Sequence, residues 1–135
     1  MAAARILVAD DDLMMLDAMS VMLRRAGYEV LPADGPRQAL EIVRNHPHFD
    51  VVVSDLVMPE MQGTQLVREI GELSPQTAGL LMTGAVVKSA DVPGGVPVLK
   101  KPFAMRNLIS AVEAALARAE QLSVEFQRQG NGLSG

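Results

Sequence analysis

The chain has 135 residues, 49% hydrophobic and 21% charged, with a net charge of −4, enough for one domain with one sizeable core and too few for a second catalytic or DNA-binding domain beside it. No basic stripe offers itself to phosphates, so the acidic balance points away from nucleic acid as a partner; no apolar run reaches the length of a membrane span, and residues 1–5 lack the basic and apolar pattern of an export signal. The absence of cysteine removes disulfide and thiolate-metal chemistry and suits a reducing, cytoplasmic compartment.

In chain order, Ile6, Leu7, Val8 and Ala9 form an apolar run that ends in acids, the pattern of a strand buried on both faces. Met15, Leu16, Met19, Met22 and Leu23 then recur at helical spacing from Leu13, and Gly27 after Arg24 and Arg25 stops that helix near Ala26. Residues 28–33 read as a second strand. Ala39, Leu40, Ile42 and Val43 mark a helix that closes at His46 and Pro47. Residues 50–54, with three successive valines, form the third strand. Pro59 and Gly63 break the chain before Leu66, Val67, Ile70 and Leu73 resume helical spacing ahead of Ser74 and Pro75. Residues 78–82 and 96–99 are the remaining strands. Met105, Leu108, Ile109, Val112 and Leu116 share one face of a last helix that runs on through Leu122 to Phe126. The polar, Gly-rich stretch 127–135 reads as a frayed tail. The organisation predicted is one domain over 1–121, then a helical extension and flexible tail over 122–135.

Strands that alternate with helices imply right-handed crossovers and a parallel sheet covered on both faces. The functional crevice of such a sheet lies at the carboxyl ends of its strands. Strand one delivers Asp10, Asp11 and Asp12 to that edge, strand three Asp55, strand four Thr83, and strand five Lys100 and Lys101. Carboxylates from two strands repel one another unless a cation joins them. Mg2+ is the natural partner, since it takes hard oxygen ligands and needs one or two carboxylates beside a phosphate oxygen. Asp11 and Asp55 can serve as ligands, with Asp10 acting directly or through water. An Asp55 oxygen can then attack a phosphoryl group to form an acyl phosphate, while Lys101 and the Thr83 hydroxyl meet the phosphate oxygens. Phosphoryl transfer depends mainly on positioning and charge stabilisation, so this short set of groups is chemically sufficient.

Four segments in order carry a family resemblance: residues 6–12 (Ile-Leu-Val-Ala-Asp-Asp-Asp), 54–63 (Ser-Asp-Leu-Val-Met-Pro-Glu-Met-Gln-Gly), 82–85 (Met-Thr-Gly-Ala) and 101–103 (Lys-Pro-Phe). The chain resembles a response-regulator receiver domain of two-component signalling over residues 5–119. The resemblance implies a flavodoxin-like, doubly wound α/β fold with strand order 2-1-3-4-5. It implies Asp55 as phospho-acceptor, Asp10 and Asp11 as the acid pair, the Val57 carbonyl as a backbone metal ligand, Thr83 as the switch hydroxyl, and Lys101 as the phosphate's counter-charge. It further implies a switch rather than an enzyme, fed by the phosphohistidine of a sensor histidine kinase or a histidine phosphotransfer protein, or by acetyl phosphate. The output is binding to a downstream protein target, with the chain itself a monomer or weak homodimer.

Two departures from the family pattern, and the residues at two of its tuning positions, shape the expectation. Val98 stands three residues before Lys101, where many receivers place an aromatic that turns inward with the threonine. The short stretch between 84 and 98, with Pro93, Gly94, Gly95 and Pro97, predicts a shortened or irregular fourth helix, as in receivers attached to or serving hybrid kinases. Val57 and Ala85, two residues after Asp55 and Thr83, are both apolar, which predicts slow loss of the phosphoryl group.

Each residue also has a plainer reading. An acidic triplet before a helix is commonly its cap, and Asp12 is the best placed for that role. Lys100 reads as a solvated charge, the methionines of the first helix as core filler, and His46 and His48 as turn residues away from the strand edge. A rival enzyme reading is a haloacid-dehalogenase-like phosphatase with Asp10 as nucleophile and Asp12 as acid, which leaves Asp55 unexplained. A third reading is a degenerate receiver that docks partners without being phosphorylated, against which stands the intact set of acids, threonine and lysine.

Overall fold

The computed structural model describes residues 3–46, 48–84, 92 and 96–134, with side chains through 128. Its parallel strands are β1 (Arg5–Ala9), β2 (Glu29–Ala33), β3 (Val51–Asp55), β4 (Ala78–Thr83) and β5 (Val98–Lys100), joined in one five-stranded sheet of order β2-β1-β3-β4-β5. The helices among the described residues are α1 (Leu13–Arg25), α2 (Pro36–Asn45), α3 (Gly63–Leu73) and α4 (Met105–Ser134). This is the predicted flavodoxin-like, doubly wound arrangement. The irregular helix expected between 84 and 98 falls on residues outside those described.

Alternation along the strands builds two cores. Ile6 and Val8, Val51 and Val53, and Leu80 and Met82 face Leu16, Met19 and Leu23 of α1 and Leu108, Val112 and Ala115 of α4. Leu7, Ala9, Val52 and Leu81 face the other way, against Leu40 and Val43 of α2 and Leu66, Val67 and Ile70 of α3. Because both faces are covered, β1, β3 and β4 read as continuous apolar runs. β2 lies at the sheet edge, where Pro32 is tolerated without a backbone N–H.

Local signals in the sequence end these elements where expected. At the close of α1 the Gly27 N–H donates to the Arg24 carbonyl (3.0 Å) and the Tyr28 N–H to the Leu23 carbonyl (3.1 Å), with Gly27 at φ 99°. That is a Schellman stop, and Tyr28 packs back into the same core as Leu23. Pro36 opens α2, while Asn107 reaches back from α4 to accept from the Ala104 N–H at 3.0 Å.

Two boundaries differ from expectation. β5 begins at Val98 rather than 96, because Pro97 has no N–H for a ladder; its carbonyl still accepts from the Leu81 N–H at 3.0 Å. The closing helix continues to Ser134, over residues 127–134 of the stretch that composition reads as a frayed tail. Once earlier turns are fixed by packing, each added residue gains a helical hydrogen bond at little further cost, so backbone propagation overrides the weak local propensity. The helix runs unbroken across residue 121, as its expected course through Leu122 to Phe126 requires.

Candidate functional site

The three acids after β1 occupy three different environments. Asp10 is fully buried, its N–H donating to the Ala33 carbonyl at 3.1 Å. Its Oδ1 accepts from the Asp12 N–H at 2.9 Å, which folds the triplet into a tight turn. Asp12 is the helix cap the sequence suggests: its Oδ1 accepts from the Met14 and Met15 N–H groups at 3.1 and 3.2 Å. Asp11, between them, is exposed. Burial pushes the Asp10 carboxyl above its ordinary pKa of 3.8; the Asp12 N–H and the Lys101 ammonium pull it down, and the nearby Asp55 charge pushes it up again.

Asp55 ends β3, and the chain turns sharply beyond it. The Leu56 N–H donates to the Met82 carbonyl, and the Gly63 N–H to the Leu56 carbonyl, each at 2.7 Å. α3 therefore starts directly against the end of the strand. A Cβ at Gly63 would strike the Asp55 carbonyl oxygen, so only glycine fits there. Glu60 turns the loop at φ 72°, its carboxylate 3.8 Å from Arg37 of α2. Val57, two residues past Asp55, is exposed.

Lys101 closes the site. Lys100 is in register with Thr83, and the Lys101 N–H donates to the Thr83 carbonyl at 2.8 Å. The Lys101 ammonium then stands 3.4 Å from Asp10 Oδ2 and 3.5 Å from Asp55 Oδ2, bridging two carboxylates from different strands. Thr83 is buried at the end of β4, one residue beyond Met82, the register partner of Asp55.

Carboxylate oxygens of Asp10, Asp11 and Asp55 lie within 4.8 Å of one another. Three acids against one lysine leave a surplus of negative charge on hard oxygen donors, the donor set that suits a small divalent cation. Lys100 is exposed, as its plain reading requires, and His46 and His48 precede β3 at the opposite edge of the sheet. Sequence reasoning missed Ser54, a fully buried hydroxyl that donates to the Asp55 carbonyl at 2.9 Å. The available signal was a polar residue interrupting an apolar strand one position before the acid.

Residues 6–113 match the response regulator receiver domain family. The chain belongs to this family. Its relatives include the response regulator receiver protein CpdR of Brucella abortus (strain 2308), 36% identical over 119 residues, which covers 85% of this chain and 98% of CpdR. The transcriptional regulatory protein ZraR of Escherichia coli (strain K12) is 37% identical over 124 residues, covering 89% of this chain but only 28% of ZraR. Among solved structures, a response regulator receiver protein from Sinorhizobium medicae WSM419 superposes with a TM-score of 0.80 at 27% identity, covering 87% of this chain and 97% of that one. The receiver therefore spans nearly all of one relative and about a quarter of another. Its class of function is that of a signalling switch in two-component systems. Among the described residues, no helix is long and apolar enough to cross a membrane.

Proposed function

We propose that this receiver takes a phosphoryl group on Asp55 from a phosphohistidine donor, with Mg2+ bound, and that the modified form changes its affinity for a downstream protein. The convergence of Asp10, Asp11 and Asp55 with Lys101 at one strand edge carries the reading. Asp10, Asp11, Asp55 and the Val57 carbonyl would hold the metal, which when bound supplies positive charge to the incoming phosphoryl oxygens. An Asp55 oxygen attacks phosphorus, the P–N bond of the phosphohistidine breaks, and the departing imidazole takes up a proton. Lys101, which bridges Asp10 and Asp55 before transfer, gains a phosphate oxygen as a partner afterwards, and Thr83 contributes a hydroxyl donor.

That exchange of partners at Lys101 and Thr83 biases a two-state equilibrium and so alters partner binding. Val98 is an aliphatic residue 38% exposed at the start of the edge strand, so the relay to the partner runs without an inward-turning aromatic at that position. Apolar Val57 and Ala85 favour a long-lived phosphoryl group; Ala85 lies outside the described residues. The donor is a sensor histidine kinase or histidine phosphotransfer protein in the cytoplasm.

The phosphatase alternative loses support because Asp12, which it needs as an acid, is engaged in capping α1. Incubation with a phosphorylated histidine phosphotransfer protein tests the proposal. The label should move to wild type in the presence of Mg2+ and stay on the donor with Asp55→Asn. Steady hydrolysis of a generic phosphate ester, lost in Asp10→Asn and kept in Asp55→Asn, would establish the phosphatase instead.

A further inference from the structure

Ser54 is fully buried and lies in register between Ala9 of β1 and Leu81 of β4, both members of the apolar core under α2 and α3. A hydroxyl in such a row is unfavourable unless it is hydrogen-bonded. Its Oγ donates to the backbone carbonyl of Asp55 at 2.9 Å. That carbonyl belongs to the planar peptide joining Asp55 to Leu56, whose N–H donates to the Met82 carbonyl at 2.7 Å. From the third side Gly63 approaches so closely that a Cβ there would strike the same carbonyl oxygen and come within 2.9 Å of the Leu56 Cα. The peptide immediately after Asp55 is thus held by a side-chain hydroxyl, by the neighbouring strand and by the first residue of α3.

We propose that Ser54 is a positioning residue for phosphorylation: with Gly63 it fixes the Asp55–Leu56 peptide, and through it the Asp55 carboxylate and the Val57 carbonyl two residues on. The proposal rests on Asp55 being the phospho-acceptor. A hydroxyl is required because an apolar residue of similar size would fill the space but remove one of the three restraints, leaving the peptide held only by the Met82 bond and the contact with Gly63. Reacting groups displaced by even an ångström lose rate steeply, so a loosened peptide reads out in the transfer step.

The test follows phosphoryl uptake from acetyl phosphate with Mg2+ by intact mass, over a range of donor concentrations, in wild type, Ser54→Ala and Ser54→Thr, with the thermal midpoint of each. Ser54→Ala is expected to slow uptake at saturating donor by about tenfold, with the half-saturating concentration unchanged, while Ser54→Thr, which restores the hydroxyl, returns the rate to near wild type. Ser54→Cys, matched in volume with a weak S–H donor, is the second variant should Ser54→Ala not fold, and it too must be slower than wild type. A wild-type rate in the folded Ala variant, or in the Cys variant if Ala fails to fold, overturns the proposal, as does a Thr variant as slow as Ala. Absence of phosphate on wild type itself locates the failure in the Asp55 reading, and the role of Ser54 falls with it.

Discussion

Asp10 is a carboxyl that the fold discourages from ionising. Burial raises its pKa above the ordinary 3.8, so between 3.8 and the raised value the folded chain holds a proton that the unfolded chain has released. Stability therefore falls as pH rises through that window, and the full cost of the buried charge persists above it. Asp10→Asn keeps an oxygen for the Asp12 N–H, leaves Lys101 its Asp55 partner, and does not titrate. Without metal, the variant should be more stable than wild type at pH 7 by about 1 kcal/mol, the usual scale of gain from replacing a destabilising functional group. The difference should vanish at a pH below the ordinary carboxylate range. Urea denaturation at the two pH values checks this, and equal stabilities at pH 7 would contradict it. Added Mg2+ should stabilise wild type and leave the variant nearly unmoved, because a ligand stabilises only the state that binds it.

Among the elements, the two informative glycines act for different reasons. Gly27 stands at φ 99°, and a Cβ there would meet nothing within 4 Å, so its requirement is purely conformational. Gly27→Ala should cost about 1–2 kcal/mol through the left-handed backbone alone, read as a shifted urea midpoint with unchanged slope and with phosphoryl uptake unaffected; an unshifted midpoint would mean that α1 ends some other way. Gly63, by contrast, is required for space, since the Asp55 carbonyl occupies the place of its Cβ. Sequence distinguishes these two poorly, because both read as glycine beside a helix terminus. Continuous apolar runs made the central strands legible and helical spacing the helices, as did the stop signal after Arg25. β5 and the tail were less so: Pro97 moved the start of a short edge strand, and in α4 the anchored turns carried the helix beyond its apolar stripe.

At the scale of the molecule, the order β2-β1-β3-β4-β5 places the carboxyl ends of β1, β3, β4 and β5 side by side, so residues from 10 to 101 in sequence meet at one edge. The acids, threonine and lysine of that edge were legible because each follows a recognisable strand. Their supports were not: the Ser54 bond to the Asp55 carbonyl and the Lys101 bridge between two acids depend on register and backbone direction, which no local pattern encodes. The central claim is that this edge exists to phosphorylate Asp55. Intact mass after incubation with acetyl phosphate and Mg2+ tests it most directly: wild type should gain a single phosphoryl group and Asp55→Asn none, while an unmodified wild type, or an adduct that survives in Asp55→Asn, would contradict the claim.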